Sequence, residues 1–409
     1  MLKFIARRIS QLDQFIHSQS VGGVLLALSA LVALVVSNSP WREAYEQFLQ
    51  IRGEVRLGAN WLVLSKPMLI WVNDLWMAVF FFLVGLEIKR ELLEGELASP
   101  AQVLLPAGAA LGGMVVPALI FAAINWGDPV ALRGWGIPMA TDIAFALGIL
   151  VLLGSRVPAS LKVFLTAVAI IDDLGAILVI AFFYTADLSP VMLLGAAGGT
   201  AILLGLNRCR VTAIGPYVVV GLVIWVFVLK SGVHATLAGV VTALAIPRSD
   251  GLGGSPLNRA EHALHPWVAY LILPMFAFAN AGVSLQGVTW GTLMQSVPLG
   301  IAAGLLVGKA LGVFGAAWLL IRLAGASLPA QASWGQMFGV CVLCGVGFTL
   351  SLFIGSLAFE GADAMYEAQV KLGVLLGSLV SGALGTLLLS VLHRLNARHD
   401  LVGVGNGNG

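Results

Sequence analysis

Long apolar stretches recur from one end of the chain to the other, separated by short segments that hold most of the charged residues. A helix needs about 20 mostly apolar residues to cross the hydrocarbon core of a bilayer. By that measure the pattern predicts twelve membrane-spanning helices. Their approximate ranges are 20–39, 67–88, 102–125, 130–153, 159–184, 190–206, 213–229, 232–246, 263–282, 298–320, 335–359 and 371–392.

The composition supports a chain that is surrounded mainly by lipid. Hydrophobic residues make up 59% and charged residues 10% of the sequence, whereas soluble domains carry about 25% charged residues. These values exclude a soluble enzyme, a nucleic-acid-binding protein and a disordered chain. The net charge of +2 gives no sign of a polyanionic partner. Three cysteines make no disulfide framework, and we expect no cofactor.

The basic residues predict how the chain is oriented. If the N-terminus is cytoplasmic and the spans alternate, fourteen of the 22 basic residues fall in cytoplasmic segments or at the span ends beside them, seven fall in outer segments or at the span ends beside them, and Lys309 lies inside a span. This bias follows the positive-inside rule. An even number of spans then puts both termini in the cytoplasm.

The segments outside the spans are short, so the sequence predicts one integral membrane domain over residues 1–409. The longest outer segment, 40–66, has the alternation and glycine turns of a β-hairpin, although a simple surface loop remains an alternative. The glycine-rich tail at 402–409 is predicted to be disordered.

Two adjacent acids, Asp172 and Asp173, lie near the middle of the fifth predicted span. Ionisable residues at membrane depth cost about 2.5–3.5 kcal/mol each on insertion scales and usually have a function. Two carboxylates side by side cannot both ionise cheaply there, so one must be neutral, paired with a cation or bound to an ion. The alternative is a loop between two short helices, but no turn residues flank the pair.

The fourth predicted span contains a proline, Pro138, followed one turn later by Thr141 and Asp142. Proline removes a helix hydrogen bond, and irregular backbone at membrane depth requires protein or a wet cavity around it. The pattern favours a broken helix with oxygen ligands at the break. A plain proline kink with a capping side chain is the alternative.

Two further spans contain unusual features. Lys309 is far from either end of the tenth span, so it should pair with a carboxylate inside the bundle, unless its stem reaches the interface. Gly345 and Gly347 interrupt the eleventh span and predict a second broken helix. The nearby Cys341 and Cys344 form only a weak redox signal, because cysteine is an ordinary small residue in a membrane.

Paired acids, a buried lysine and two interrupted spans are typical of a transport site near the membrane midplane. The available ligands are hard oxygens, which suit a proton or an alkali or alkaline-earth cation. Three other classes stay open on the residues alone: an intramembrane aspartyl protease, a passive cation channel, and a symporter that couples a cation to an organic solute.

The chain resembles the NhaA-type family of bacterial sodium/proton antiporters over about residues 12–392. The segments that carry this resemblance are FFLVGLEIKRELLEGEL (81–97), PMATDIAFALG (138–148), AVAIIDDLGAILVIAFFYT (167–185), SGVHATLAGV (231–240), EHALHPWVAYLILPMFAFANAGV (261–283), LLVGKALG (305–312) and LCGVGFTLSLFIGSLAF (343–359). The mid-span acid pair, the PMATD break and the EHALHPW segment are together highly specific.

The resemblance implies an all-α polytopic membrane protein of about twelve helices, with inverted-topology repeats and two interrupted helices that cross near the midplane. It implies a Na⁺- or Li⁺-for-proton exchanger of the bacterial inner membrane and not an enzyme. Asp173, Asp172 and Thr141 would bind the ion. Lys309 would pair with Asp172 when sodium is absent, and Asp142 would lie with Lys309 beside the crossed helix ends.

Further implied roles concern regulation and assembly. The residues implied in the response to pH are Glu87, Arg90, Glu91, His234, Glu261, His262 and His265. Asp74 would lie near an outer funnel, and the hairpin would form a homodimer.

Three positions depart from the family pattern. Ala310 stands where proline is common, Leu75 replaces a glycine, and Asn258 replaces a second basic residue. We expect them to affect a local kink and the pH set-point more than the transport chemistry.

Overall fold

The structure is a computed structural model that describes residues 21–57, 62–95, 99–185 and 188–405, without the side chains of 57, 62, 100, 101 and 396–405. The basic N-terminal segment, residues 58–61 of the predicted hairpin and residues 406–409 of the tail lie outside the described residues. The longer helices are α1 (Val21–Ser37), α2 (Arg42–Gln50), α3 (Met68–Glu94), α4 (Pro100–Ile124), α5 (Ile143–Leu152), α6 (Ala159–Phe183), α7 (Pro190–Arg208), α8 (Ile214–Leu229), α9 (Leu237–Ala245), α10 (Pro256–Asn280), α11 (Ser296–Leu323), α12 (Trp334–Leu343), α13 (Phe348–Ala358) and α14 (Ala364–Gly405).

The helices confirm the predicted all-α membrane fold. Among the described residues, eight helices are long and apolar enough to cross a membrane, and two bent pairs raise that number to ten. The remaining predicted spans correspond to α8, with 16 residues, and α9, with nine.

The prediction made α9 too long, because residues 231–236 form turns before it, with Gly232 at a φ of +84°. At the other end, 402–405 continue α14 within the segment that was predicted to be disordered.

Between α1 and α3 the chain forms a short amphipathic helix and a hairpin. Helix α2 turns 115° away from α1. Strands β1 (Arg52–Leu57) and β2 (Leu62–Pro67) then pair antiparallel, with Arg52 opposite Pro67 and Leu57 opposite Leu62. The indole N–H of Trp71, in the first turn of α3, donates to the carbonyl of Gly53 at 3.1 Å, so β1 is tied directly to the start of α3.

The chain divides into two compact units, and the first contains Ser99–Asp172 and Thr289–Gly409. Each of these segments supplies three successive spans, and the middle span of each is interrupted. Each span of the second triplet comes seven spans after the corresponding span of the first triplet. Because seven is odd, the triplets run through the membrane in opposite directions, as inverted-topology repeats do.

A 3-10 helix, Ala131–Met139, forms the first half of one interrupted span in this unit. The Asp128 carboxylate precedes it and accepts the backbone N–H groups of Val130 and Ala131 at 2.9 and 3.0 Å. These bonds hold the pKa of Asp128 below its usual value, and the bond from Ala131 has the largest effect. Asp128 therefore caps the segment that leads into the first helix break.

The second unit contains Leu25–Ala98 and Asp173–Val288. Helices α3 and α9 approach each other closely within it, because glycines occupy the contact. A Cβ atom at Gly239 would collide with the carbonyl of Ala78, and one at Gly85 would lie 2.7 Å from the Ala243 side chain. Helix α3 also contains a π-helical segment, Val72–Trp76, near its start.

Candidate ion site and helix crossing

The first helix break lies just beyond the predicted proline. Pro138 is inside the 3-10 helix, and the backbone becomes extended at Ala140, with ψ at 147°. Asp142 then caps α5, its Oδ1 accepting the N–H of Phe145 at 3.0 Å. Aspartate is a preferred residue at this capping position because its oxygen satisfies a free N–H of the first turn. The helix thus restarts at the polar residues and not at the proline.

The second break separates α12 from α13, which bend by 42° relative to each other. It occupies residues 344–347 and includes both of the predicted glycines, Gly345 and Gly347. The Cα of Gly345 lies so close to the Leu305 carbonyl and the Ser381 hydroxyl that a Cβ atom would collide with both. Glycine at 345 therefore allows the break to pack directly on α11 and α14.

The two breaks contact each other within the first unit. The backbone N–H of Asp142 donates to the carbonyl of Val346 at 2.7 Å. Oδ2 of Asp142 accepts from the N–H of Thr349 at 3.0 Å and from its hydroxyl at 2.6 Å. One carboxylate thus lies at the first turns of both α5 and α13, where each helix dipole is positive.

A serine of α14 completes the start of α13. Ser378 Oγ accepts the N–H groups of Gly347 and Phe348 at 3.3 and 3.2 Å. The sequence analysis did not identify Ser378 or Thr349. The only signal for either was a hydroxyl in an otherwise apolar span, and such hydroxyls usually bond to their own helix.

Asp172 forms the centre of the candidate ion site. Its Oδ2 accepts the hydroxyl of Thr141 at 2.7 Å and makes an ion pair with Lys309 Nζ. The side chains of Asp172 and Lys309 are fully buried. Oδ1 of Asp172 has no hydrogen-bond partner among the residues that the structure describes. The buried lysine therefore compensates the charge but leaves one carboxylate oxygen available.

Thr141 connects this site to the second break. Its hydroxyl lies 3.0 Å from the carbonyl of Cys344 and 2.7 Å from Asp172. A hydroxyl has one hydrogen and two lone pairs, so it donates fully to only one of these acceptors at a time. The Cys344 carbonyl terminates α12, where the helix dipole is negative. Three oxygen atoms that could bind a cation therefore lie close together: the Thr141 hydroxyl, Asp172 Oδ2 and the Cys344 carbonyl.

Asp173 follows in α6 and is 3% exposed. Adjacent residues of a helix point about 100° apart, so its carboxylate leaves the helix in a different direction from that of Asp172. Lys309 follows directly after a π-helical segment, Gly304–Gly308, of α11. The helix continues through Ala310 without a break, as the absence of a proline there leads one to expect.

Four of the residues implied in the pH response lie together in the second unit. Arg90 Nε contacts both carboxylate oxygens of Glu261 at 2.9 and 3.0 Å, and its Nη1 contacts Glu91 at 2.6 Å. Glu87 interacts electrostatically with Arg90 and both of these acids. Glu261 is 6% exposed, so the cluster contains a largely buried carboxylate whose charge Arg90 compensates.

The histidines differ in their positions. His262 is exposed, with Nδ1 2.6 Å from the carbonyl of Asn258, and His265 is half-buried. His234 is not in the cluster: its Nε2 lies 3.9 Å from Asp74 Oδ1. Asp74 and Glu87 are thirteen residues apart on α3, or roughly 20 Å at 1.5 Å per residue. The predicted set of pH-responsive residues thus forms two groups.

The comparisons with known proteins agree on one family. The family model described as Na+/H+ antiporter 1 matches residues 13–389. A protein of Albidiferax ferrireducens named Na(+)/H(+) antiporter NhaA is 80% identical over 389 residues, covering 95% of this chain and 98% of that protein. Proteins with the same name from Rhodospirillum rubrum and Pseudomonas putida are 58% and 54% identical, each covering more than nine tenths of both chains. The chain therefore belongs to the Na⁺/H⁺ antiporter 1 family, as a multi-pass secondary transporter and not an enzyme.

Proposed function

We propose that the protein exports Na⁺ or Li⁺ in exchange for external protons, by alternating access at a site built on Asp172 and Asp173. The observation that carries this proposal is the buried pair between Asp172 and Lys309, with Thr141 on the same carboxylate oxygen. A carboxylate at membrane depth needs a compensating charge. Lysine supplies that charge in the arrangement described, and a bound cation would supply it when lysine leaves.

Competition for the carboxylates couples the two fluxes. Na⁺ and Li⁺ prefer hard oxygen ligands, which the Asp172 carboxylate, the Thr141 hydroxyl and the Asp173 carboxylate provide. We assign Asp173 as the leading ligand, from the family resemblance. Protons neutralise the same carboxylates and so exclude the cation. Neither ion crosses unless it replaces the other, which distinguishes exchange from a passive channel.

The exchange is electrogenic in this proposal. If both carboxylates take up protons in one half-cycle and one Na⁺ in the other, two charges move inward for each one that moves outward. Each unbalanced charge is worth about 2.3 kcal/mol per 100 mV of membrane potential. The interior-negative potential of a bacterium then drives sodium export.

The helix crossing provides the moving part. Asp142 accepts hydrogen bonds at the starts of α5 and α13, so its negative charge stabilises two positive helix ends at once. Thr141 lies beside it and contacts both the ion-site carboxylate and the end of α12. We infer that a change of partner at Asp172 alters the position of the crossing and thereby opens the site to the other side.

The cluster around Arg90 is proposed to set the pH response. Glu261 is held by Arg90 and lies next in sequence to His262. Histidine changes charge between pH 5 and 8, so protonation of His262 or His265 would draw Glu261 away from Arg90. Replacing Glu261 by Gln and both histidines by Gln should flatten the pH–activity curve. A curve that keeps its shape and midpoint would exclude this cluster as the sensor.

The remaining proposals concern the surroundings of the protein. We place it in the bacterial cytoplasmic membrane with both termini in the cytoplasm, on the distribution of basic residues. We assign Asp74 to the outer cation entrance. Among the residues that the structure describes, β1 and β2 pair only with each other, so their outer edges can pair with a second copy, which supports a homodimer.

The experiment that tests the function uses everted membrane vesicles and a pH-sensitive dye. After respiration acidifies the lumen, NaCl or LiCl is added at several pH values to vesicles with wild type, Asp172→Asn or Asp173→Asn. The matched control is Asp128→Asn, which changes an acid outside the membrane. Loss of the pH gradient in wild type and control only would support the proposed site. Full exchange by Asp173→Asn would exclude that site, and sodium-dependent uptake of an organic solute without proton movement would identify a symporter.

A further inference from the structure

Two tryptophans connect the β-hairpin to α8 in the second unit. The indole N–H of Trp71 donates to the carbonyl of Gly53 in β1, and its ring stacks on that of Trp225, with centroids 6.2 Å apart and planes at 28°. Gly53 lies so close to the Trp71 ring that a Cβ atom would be 2.8 Å from Nε1. The position of β1 and the orientation of Trp71 therefore depend on each other.

The second tryptophan continues this connection to Asp74. The indole N–H of Trp225 donates to the backbone carbonyl of Asp74 at 3.3 Å. Asp74 lies in the π-helical segment Val72–Trp76, and its carboxylate faces His234 at 3.9 Å. Such segments often occur at functional sites because they change the direction of the side chains that follow. Hydrogen bonds and stacking thus form a continuous path from β1 to the backbone of Asp74.

The hairpin and Asp74 also border the same small pocket. Its lining includes Leu64 and Lys66 from β2, and Asp74, Trp71 and Trp225 from the helices. A shift of the hairpin would move the part of the lining that Leu64 and Lys66 form. It would also move Trp71, which is bonded to β1 and forms another part of the lining. The surroundings of Asp74 would change with it.

The other side of the π-helical segment is fixed by α10. Asn73 and Asn280 exchange amide hydrogen bonds at 2.9 and 3.3 Å, and Asn280 also donates to the carbonyl of Phe276 at 3.0 Å. Both asparagines are buried. Because the segment is held firmly on this side, a displacement passed on by Trp225 would rotate Asp74 and not move the whole helix.

We propose that Trp71 and Trp225 are positioning residues that couple the β-hairpin to Asp74, so that contacts of the hairpin adjust cation capture at the outer entrance. This inference rests on the proposed function, in which Asp74 attracts Na⁺ at that entrance. A second copy of the chain that pairs with the hairpin would then change the apparent affinity for Na⁺ without touching the ion site.

The test measures KM for Na⁺ and kcat of the full-length protein in proteoliposomes. Trp225→Phe keeps an aromatic ring and removes the N–H that holds the Asp74 backbone, so KM should rise, by up to about tenfold, the factor equivalent to the free energy of one whole hydrogen bond. The value of kcat should stay within about twofold, because the ion site keeps all its groups. Trp126→Phe, which changes a tryptophan with 78% exposure, is the matched control.

Two further variants make the outcomes distinguishable. Asp74→Asn measures the role of the carboxylate itself, and Trp225→Phe added to Asp74→Asn should raise KM no further, because coupled residues are not additive. If Asp74→Asn leaves KM unchanged, the proposed entrance role fails and the inference fails with it. If Asp74→Asn raises KM but Trp225→Phe does not, only the inference is overturned.

A variant nearer the hairpin tests the rest of the path. It also keeps the proposal testable if Trp225→Phe folds poorly. Trp71→Phe removes the bond to Gly53 but keeps the stacking ring, so KM should rise in the same direction by a smaller factor. An unchanged KM in Trp71→Phe would show that the hairpin is not coupled to Asp74. Melting of each purified variant is measured in parallel to confirm that it is folded.

Discussion

Replacing Thr349 by Val tests whether Asp142 joins the two interrupted helices. The substitution keeps the shape of the side chain and removes a hydroxyl that donates to Asp142 Oδ2 at 2.6 Å. Thr349 is 2% and Asp142 3% exposed, so water cannot replace the lost donor. A hydrogen bond to a charged group contributes about 1.5–3 kcal/mol. Asp142 keeps the N–H groups of Thr349 and Phe145, so we expect a loss of about 2 kcal/mol, roughly 30-fold in the folding equilibrium.

The assay is thermal unfolding of the purified protein in detergent, with Thr349→Ser as the matched control that keeps the hydroxyl. At about 2 °C per kcal/mol for a large chain, Thr349→Val should melt about 4 °C below wild type, and Thr349→Ser should recover most of the difference. Sodium-triggered proton release should fall in parallel. Equal melting temperatures for the valine and serine variants would refute the reasoning that this bond holds the crossing together.

Three further predictions concern other parts of the structure. Lys309→Gln leaves the buried Asp172 charge uncompensated and should destabilise the protein by about 3–5 kcal/mol, whereas Lys309→Arg should lose less, as melting temperatures will show. Gly345→Ala should reduce stability by about 1–3 kcal/mol, because its Cβ atom collides with neighbouring groups. The control Gly198→Ala has open space around its Cβ atom and should be neutral or slightly stabilising. Melting temperatures measure both. Asp128→Ala should lower the melting temperature at about pH 5–8. Because the pKa of Asp128 is held below its usual 3.8, its contribution is complete above that value and lost as the pH falls through the lowered pKa, so the difference from wild type should vanish only at lower pH.

The sequence predicted the elements of the site better than the contacts between them. Asp172 and Lys309 were recognisable because a charge in an apolar span must be compensated, but only the family resemblance implied that they pair with each other. The double role of Asp142 was not predictable in detail, since its partner Thr349 is 207 residues away. Periodicity and hydropathy contain no information about contacts at that separation.

Local backbone details were also beyond the pattern. Proline marks where a helix loses a hydrogen bond, but the extended residues follow Pro138 at Ala140, because the 3-10 helix can accommodate proline while Asp142 provides the cap for the next helix. The π-helical segments leave no mark on an apolar sequence. The length of α9 was overestimated because valine and alanine in the turns before it have the same hydropathy as in a helix.

The π-helical segment before Lys309 has a consequence for how this gene can change. A π-helical segment accommodates one residue more than an α-helix over the same rise, and each residue of an α-helix turns the chain by about 100°. Deleting a single residue from Gly304–Gly308 would therefore let α11 close into a regular helix, with its hydropathy and nearly its length preserved. Because five π-helical residues turn the chain about as far as four α-helical residues, Lys309 would still point nearly toward Asp172. A one-residue deletion among these glycine, leucine and valine residues should therefore be tolerated better than the same deletion in the regular part of α11 that follows, or than a substitution of Lys309.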